Sequence, residues 1–266
     1  MATINPALCK NDPILRLNTI APYFTMFPLD FPMSCLKNAQ KGDVVLDPFC
    51  GRGTTIFAAR LLGLSAIGMD SSPLAYTISA AKLTTVEQAD IVSRCESALH
   101  STGTAGEIPE GEFWELCYHS QTLHDICVLR EYFINTMPDP IDIALRAILV
   151  GILHGPVYKG YPGYLSNQMP RTYATKPKPA VKFWKQKGMV PPCIDVLDLV
   201  RRRSAYVFSR IPPSIEGAVH LHDSRQDMKG KVKKKAAWIV TSPPYWKMRS
   251  YWPDQWLRLW FLGGTP

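Results

Sequence analysis

The chain has 266 residues, 46% hydrophobic and 20% charged, proportions that exclude disordered and fibrous classes and leave an ordinary globular protein. Lys and Arg outnumber Asp and Glu by 30 to 22, a formal net charge of +8, which points toward a polyanionic partner, nucleic acid first. The seven cysteines are odd in number and contain no C-x-x-C pair, which argues against a disulfide framework and fits a reducing cytoplasm. MATINPALCK lacks a basic-then-apolar signal, and the most apolar helical stretch, residues 141–154, is short and broken by Arg146, so no membrane span is expected.

In chain order, residues 1–40 are Pro-rich and irregular, with a short helix predicted over residues 33–39. GDVVLDPF then reads as a buried strand, bounded by Gly42 and Pro48. CGRGTT follows as a glycine-rich turn, and IFAARLLG as a helix stopped at Gly63. SAIGMD is a second strand, and the Ser-Ser-Pro of SSPLAYTISAAKL starts a second helix. This alternation implies a βαβ arrangement with a parallel sheet. From about residue 84 to 216 the pattern is helical and loop-like. Strands resume with AVHLHD and, after a lysine-rich loop, AAWIVTSPPY.

The glycine loop DPFCGRGTT places Gly51 and Gly53 between a strand and a helix, where the backbone can take positive φ and approach a ligand closely. No Gly-Lys-Ser/Thr follows, so it is not a phosphate-binding P-loop, and the third glycine of the dinucleotide fingerprint is missing. Asp70, at the end of the next strand, is placed to accept hydrogen bonds from ribose hydroxyls. The same residues also suit tight strand–helix packing and a helix cap, and both readings stand at this point.

Taken together, DPFCGRGTT, GMDSSPLA, HDSRQD and TSPPYW resemble the S-adenosylmethionine-dependent DNA amino-methyltransferases, which modify the exocyclic nitrogen of adenine or cytosine. The resemblance implies an α/β fold, a Rossmann-like methyltransferase sheet with helices on both faces, here interrupted by a helical and loop insertion. It implies S-adenosylmethionine bound over Asp47, Phe49, Gly51, Gly53, Asp70 and Asp223, with Phe27 or Phe24 from PYFTMFPLDFP against its methionine moiety. It makes Ser242, Pro243, Pro244 and Tyr245 the catalytic motif. Two prolines fix φ and remove amide donors, leaving nearby carbonyls outward as acceptors for the attacking amine. Tyr245 supplies a ring on which a flipped base can stack. In the resembled family Ser-Pro-Pro-Tyr goes mainly with cytosine N4 and Asp- or Asn-Pro-Pro-Tyr with adenine N6, so the resemblance implies cytosine N4 as the preferred target at Ser242. Asp223 also reads as a simple turn residue, and Trp246 as pocket wall or core.

The expected organisation is 1–85 as the cofactor-binding half, 86–216 as an insertion carrying target recognition, and 217–266 as the catalytic half. Within the insertion, Tyr158, Tyr161, Tyr164, Tyr173, Phe183 and Trp184 interleave with Lys159, Arg171, Lys176, Lys178, Lys182, Lys185 and Lys187. That mixture suits phosphates and bases, although a solvated loop with satellite packing has the same composition. CYHSQTLHDIC has two Cys and two His at a spacing that matches no zinc pattern, so no metal is expected. After SPPYW the chain runs only through WPDQWLRLWFLGGTP, short of the later strands that complete such a sheet. The expectation is a C-terminally truncated methyltransferase, with DNA as partner and a second chain or a further segment completing the sheet. An RNA guanine-N2 methyltransferase and a non-catalytic remnant that binds nucleic acid or a partner chain are the alternatives.

Overall fold

A four-stranded sheet is built from β1 (Val44–Asp47), β2 (Ser65–Asp70), β3 (Gly217–Leu221) and β4 (Trp238–Ile239). Its order is β3-β2-β1-β4 and every neighbouring pair is parallel. The computed structural model describes residues 11–23, 27–101, 105–156, 163–169, 176–243 and 252–265. The helices are α1 (Asp30–Cys35), α2 (Thr54–Leu61), α3 (Pro73–Ala81), α4 (Gln88–Ser101), α5 (Glu112–Cys117), α6 (Ser120–Asn135), α7 (Pro140–Ile152), α8 (Pro177–Gln186), α9 (Val196–Val207) and α10 (Trp252–Phe261). The α/β, Rossmann-like arrangement of parallel strands with flanking helices is the one the sequence predicts. The chain divides into two units: residues 1–86 with 207–249, and residues 87–206 with 250–266.

The first unit holds the sheet. Val45 and Ala66 lie opposite each other in the β1–β2 ladder and face Ile56 and Ala59 of α2 and Leu62 at its C-terminal cap, with Leu36 and Val240 closing the cluster. All seven are buried, so β1 is covered on the side that carries α2. A 3-10 helix over Pro13–Thr19 occupies part of the stretch expected to be irregular, and two further elements also differ from the sequence expectation. The first helix begins at Asp30 rather than at residue 33, because Pro32 falls in its first turn, where a missing N–H costs no hydrogen bond. β4 pairs over two residues only, and the Val240 amide makes the last bond of its ladder, to the Leu46 carbonyl.

The second unit is helical among its described residues. Asp139 and Asp142 form a capping box at the start of α7, and Arg94 of α4 bridges both carboxylates at 2.9 and 2.6 Å. Trp114 of α5 packs on Trp260 of α10 with ring centroids 4.6 Å apart. Arg258, buried on α10, donates to the carbonyls of Val150 and His154. In the Cys/His stretch, Cys117 and Cys127 are buried and His119 caps α6 by accepting from the Gln121 amide. Among the described residues no group of three His, Cys, Asp or Glu is placed to hold a metal ion. No described helix is long and apolar enough to cross a membrane.

Candidate active site

Parallel strands bring all their C-terminal ends to one edge of the sheet, and the first unit's chemistry gathers there. The turn after β1 uses Gly51 at φ 49° and Gly53 at φ 74°, both in the left-handed region. At Gly53 the requirement is doubled, because a Cβ there would lie 2.7 Å from Ser79 Oγ and 2.9 Å from Ser79 Cα. The loop is pinned from two sides: the Cys50 amide donates to the Met69 carbonyl at 2.9 Å, and the Ser79 hydroxyl donates to the Gly51 carbonyl at 2.7 Å.

Asp70 closes this cradle. Its Oδ2 accepts from the Gly51 amide and its Oδ1 from the Ser72 amide, each at 2.9 Å. Burial raises the carboxyl above its ordinary value, and the amides of Ser72 and Gly51 pull it part of the way back. Each oxygen keeps a lone pair, so ribose hydroxyls can still be accepted. The other expectation for Asp70, a cap at the start of a helix, is met by Ser72 instead, whose hydroxyl accepts from the Ala75 amide.

Tyr23 also lines the cradle, and sequence reasoning missed it. A Cβ on Gly51 would lie 3.6 Å from Tyr23 Cε1, so the ring lies against the glycine loop. Its hydroxyl bonds to the Ser72 side chain; burial first, and then the Asp70 charge, push the phenol well above its usual pKa. Phe27 is half-buried and packs on Phe31 with centroids 5.1 Å apart. Phe24 lies outside the described residues. The signal was present in PYF, but three nearby aromatics without periodicity do not say which one faces inward.

Asp223 follows β3, and the His222 amide donates to the Asp70 carbonyl at 2.9 Å, which holds the two strand ends together. The Asp223 carboxylate receives the Arg225 guanidinium at 2.6 Å and the Arg225 amide at 3.0 Å, and this cation holds it down to about 2. Any ligand amine at this position competes with Arg225 for the carboxylate. Ser224 hydroxyl donates to the Pro48 carbonyl, so the β3 turn also touches the glycine loop.

At the end of β4, the Val240 amide donates to the Leu46 carbonyl at 3.1 Å, and Ser242 and Pro243 are exposed beyond it. Pro244, Tyr245 and Trp246 lie outside the described residues. Asp47, 1% exposed, accepts from the Phe49 amide at 3.2 Å, and Phe49 itself is 37% exposed. Burial raises the Asp47 carboxyl to about 6, while the neighbouring Thr241 and Thr55 hydroxyls favour its charged form.

The edge carries the kinds of group that a sulfonium nucleoside would need: the strand ends set Asp47, Asp70 and Asp223 at the glycine cradle, and the Thr54 hydroxyl oxygen is buried with no well-formed hydrogen bond. In the second unit, Lys178, Lys182 and Lys187 of α8 and its flanks are exposed, whereas Lys185 pairs with Glu112 and Lys176 with Asp254. Trp184, which composition offered as a ring for bases, is core: with Ala180 four residues earlier it forms the inward face of α8, and it packs on Phe113. Tyr158, Lys159, Tyr161, Arg171 and Tyr173 lie outside the described residues.

Residues 8–81 match the family model for DNA methylase of the N6/N4 type. That match runs from before the first helix through α3, and so contains Tyr23, Phe27, Asp47, Phe49, Gly51, Gly53 and Asp70; Asp223 and Ser242 fall outside it. A curated relative, the Type II methyltransferase M.BsoBI of Geobacillus stearothermophilus, is 49% identical over 37 residues. The matched stretch is 14% of this chain and 7% of that protein. No solved structure matches. The family match and the strand-end geometry therefore meet on the same loop and on Asp47 and Asp70.

Proposed function

We propose that this chain transfers a methyl group from S-adenosylmethionine to the exocyclic amine of a flipped DNA base, with cytosine N4 as the preferred target. The observation that carries the reading is the cradle itself: Gly51 and Gly53 at positive φ, closed by Asp70, inside the stretch that matches the DNA methylase family. In this reading Asp70 takes the ribose hydroxyls of the cofactor. Asp223 takes its adenine amine after yielding Arg225, and Phe49, Phe27 and Tyr23 supply apolar walls. The cofactor, when bound, supplies an electrophilic methyl group. Ser242 and the Pro243 carbonyl accept hydrogen bonds from the attacking amine and stabilise the charge that develops on nitrogen. Tyr245 stacks on the flipped base, a contact worth about 1–3 kcal/mol.

The basic face of α8, with the neighbouring loop segments, supports assigning the second unit to target recognition through phosphate contacts. The relative named a Type II methyltransferase favours a restriction–modification setting in the cytoplasm. β4 leaves Ile239 66% exposed, and a further strand, from a second chain or from another segment, would cover it.

The test is direct. Purified chain is incubated with S-adenosylmethionine and unmethylated DNA, the DNA is digested to nucleosides, and N4-methylcytosine and N6-methyladenine are sought by mass spectrometry. N4-methylcytosine is expected, and Tyr245→Ala should abolish it while cofactor binding survives. N6-methyladenine instead would move the target base. Methylguanosine from tRNA under the same conditions would replace DNA with RNA, and binding without any transfer would favour the remnant.

A further inference from the structure

β4 has a weakness that its position makes important. Its ladder with β1 covers two residue pairs, Val45 with Trp238 and Leu46 with Ile239, yet the residues just beyond carry the proposed acceptors. Backbone pairing of that length gives little control over where the chain goes next. Side chains take over at this point. The Thr55 hydroxyl, from the first turn of α2, donates to the Val240 carbonyl at 3.1 Å. The Thr241 hydroxyl is buried with no well-formed hydrogen bond, and it lies near enough to the Asp47 carboxylate to favour its charged form. The same carboxylate holds the Phe49 amide of the glycine loop at 3.2 Å. One buried group thus touches both the loop that cradles the cofactor and the residue immediately before Ser242.

We propose that Asp47, with Thr55, is a positioning latch: it fixes Thr241, and through it the Ser242 hydroxyl and Pro243 carbonyl, relative to the glycine loop. The inference deepens the methyltransferase reading and rests on it for the step that it positions. Its distinguishing property is a split. The cradle is built from Gly51, Gly53 and Asp70 and survives loss of the latch, so cofactor binding persists while the acceptors drift from their attack geometry. Misplacement of reacting groups by about 1 Å can cost roughly a hundredfold in rate.

The test uses Thr241→Val, which keeps shape and removes the hydroxyl, Thr241→Ser, which restores it, and Asp47→Asn. Amide hydrogen exchange is followed over residues 44–53 and 237–243 of the full chain, alongside cofactor affinity by calorimetry and single-turnover methyl transfer. The latch predicts that Thr241→Val speeds exchange in both stretches, by about threefold or more. In Thr241→Val cofactor affinity stays within about threefold, and in both this variant and Asp47→Asn transfer slows by about tenfold to a hundredfold. Thr241→Ser should recover most of both losses. Faster exchange confined to residues next to the substitution overturns the latch, as does unchanged transfer in Thr241→Val. If the wild-type chain transfers no methyl group to any nucleic acid, the proposed function fails, and the exchange pattern alone decides whether the two stretches are coupled.

Discussion

Asp47 shows at the scale of one residue how the site sets structure against solvation. Its carboxyl is raised to about 6 by burial, whereas an unfolded chain holds such a group near its ordinary value of about 3.9. The native state therefore holds this proton more tightly than the unfolded one. The contribution of the group to stability is most favourable below about pH 4 and is lost as the pH rises through about 6. Asp47→Asn removes that slope. Thermal melts from pH 4.5 to 8 should show the variant gaining on the wild type across this window and levelling off above it. The ceiling on the gain is about 3 kcal/mol, from 1.36 kcal/mol per pKa unit. A residue whose neutralisation stabilises the protein but slows its chemistry is retained for the chemistry, and the two measurements together separate those roles.

Among the elements, α2 depends on a residue near its C-terminal end. Arg60 is 1% exposed and meets no carboxylate among the described residues. Its guanidinium donates to the carbonyls of Lys82, Thr84, Pro212 and Pro213 and to the Thr85 hydroxyl. It ties the end of α2 to the chain that leaves α3 and to the segment that returns before β3. Burial lowers its pKa to about 10, which still leaves it charged at neutral pH. Arg60→Met strips four carbonyls of a donor and should lower unfolding free energy by about 3–5 kcal/mol, measured by denaturant titration. Arg60→Lys should recover only part of that, because an ammonium cannot span the same fork. Legibility in the sequence followed the same divide between local and distant partners. The strand, glycine turn and helix from Val44 to Leu61 were readable because apolar run, glycines and helix stop are all local. So was the place of Asp70 beside the glycine loop. Arg60 read as an ordinary helical residue, since its acceptors lie up to 153 positions away. Tyr23 and the inward turn of Thr241 were hidden for the same reason: facing is set by packing partners that periodicity does not encode in short or irregular segments.

At the scale of the whole molecule, the proposed function and the formal charge of +8 together predict a salt-dependent affinity for DNA. Duplex binding should weaken steeply with salt, and each phosphate contact should contribute about 0.9 to the slope of log affinity against log salt. Replacing Lys178, Lys182 and Lys187 of α8 and its flanks by Ala, one at a time, should reduce that slope by up to about 1 each, without altering cofactor affinity. An unchanged slope in all three would remove α8 from the interface. The division into two units also shapes how the protein is made. The first unit takes residues 1–86 and 207–249, and the second takes 87–206 and 250–266, so each is interrupted by the other along the chain. Asp43 waits for Trp238, 195 positions later, before the edge of β1 is covered. At a synthesis rate of about 5–20 residues per second, that edge stays bare on the ribosome for roughly 10–40 s, while the whole second stretch of helices is translated. A nascent chain of this kind exposes its glycine loop and first strands for that time, so slower translation should lower soluble yield and added chaperone should raise it at unchanged final stability.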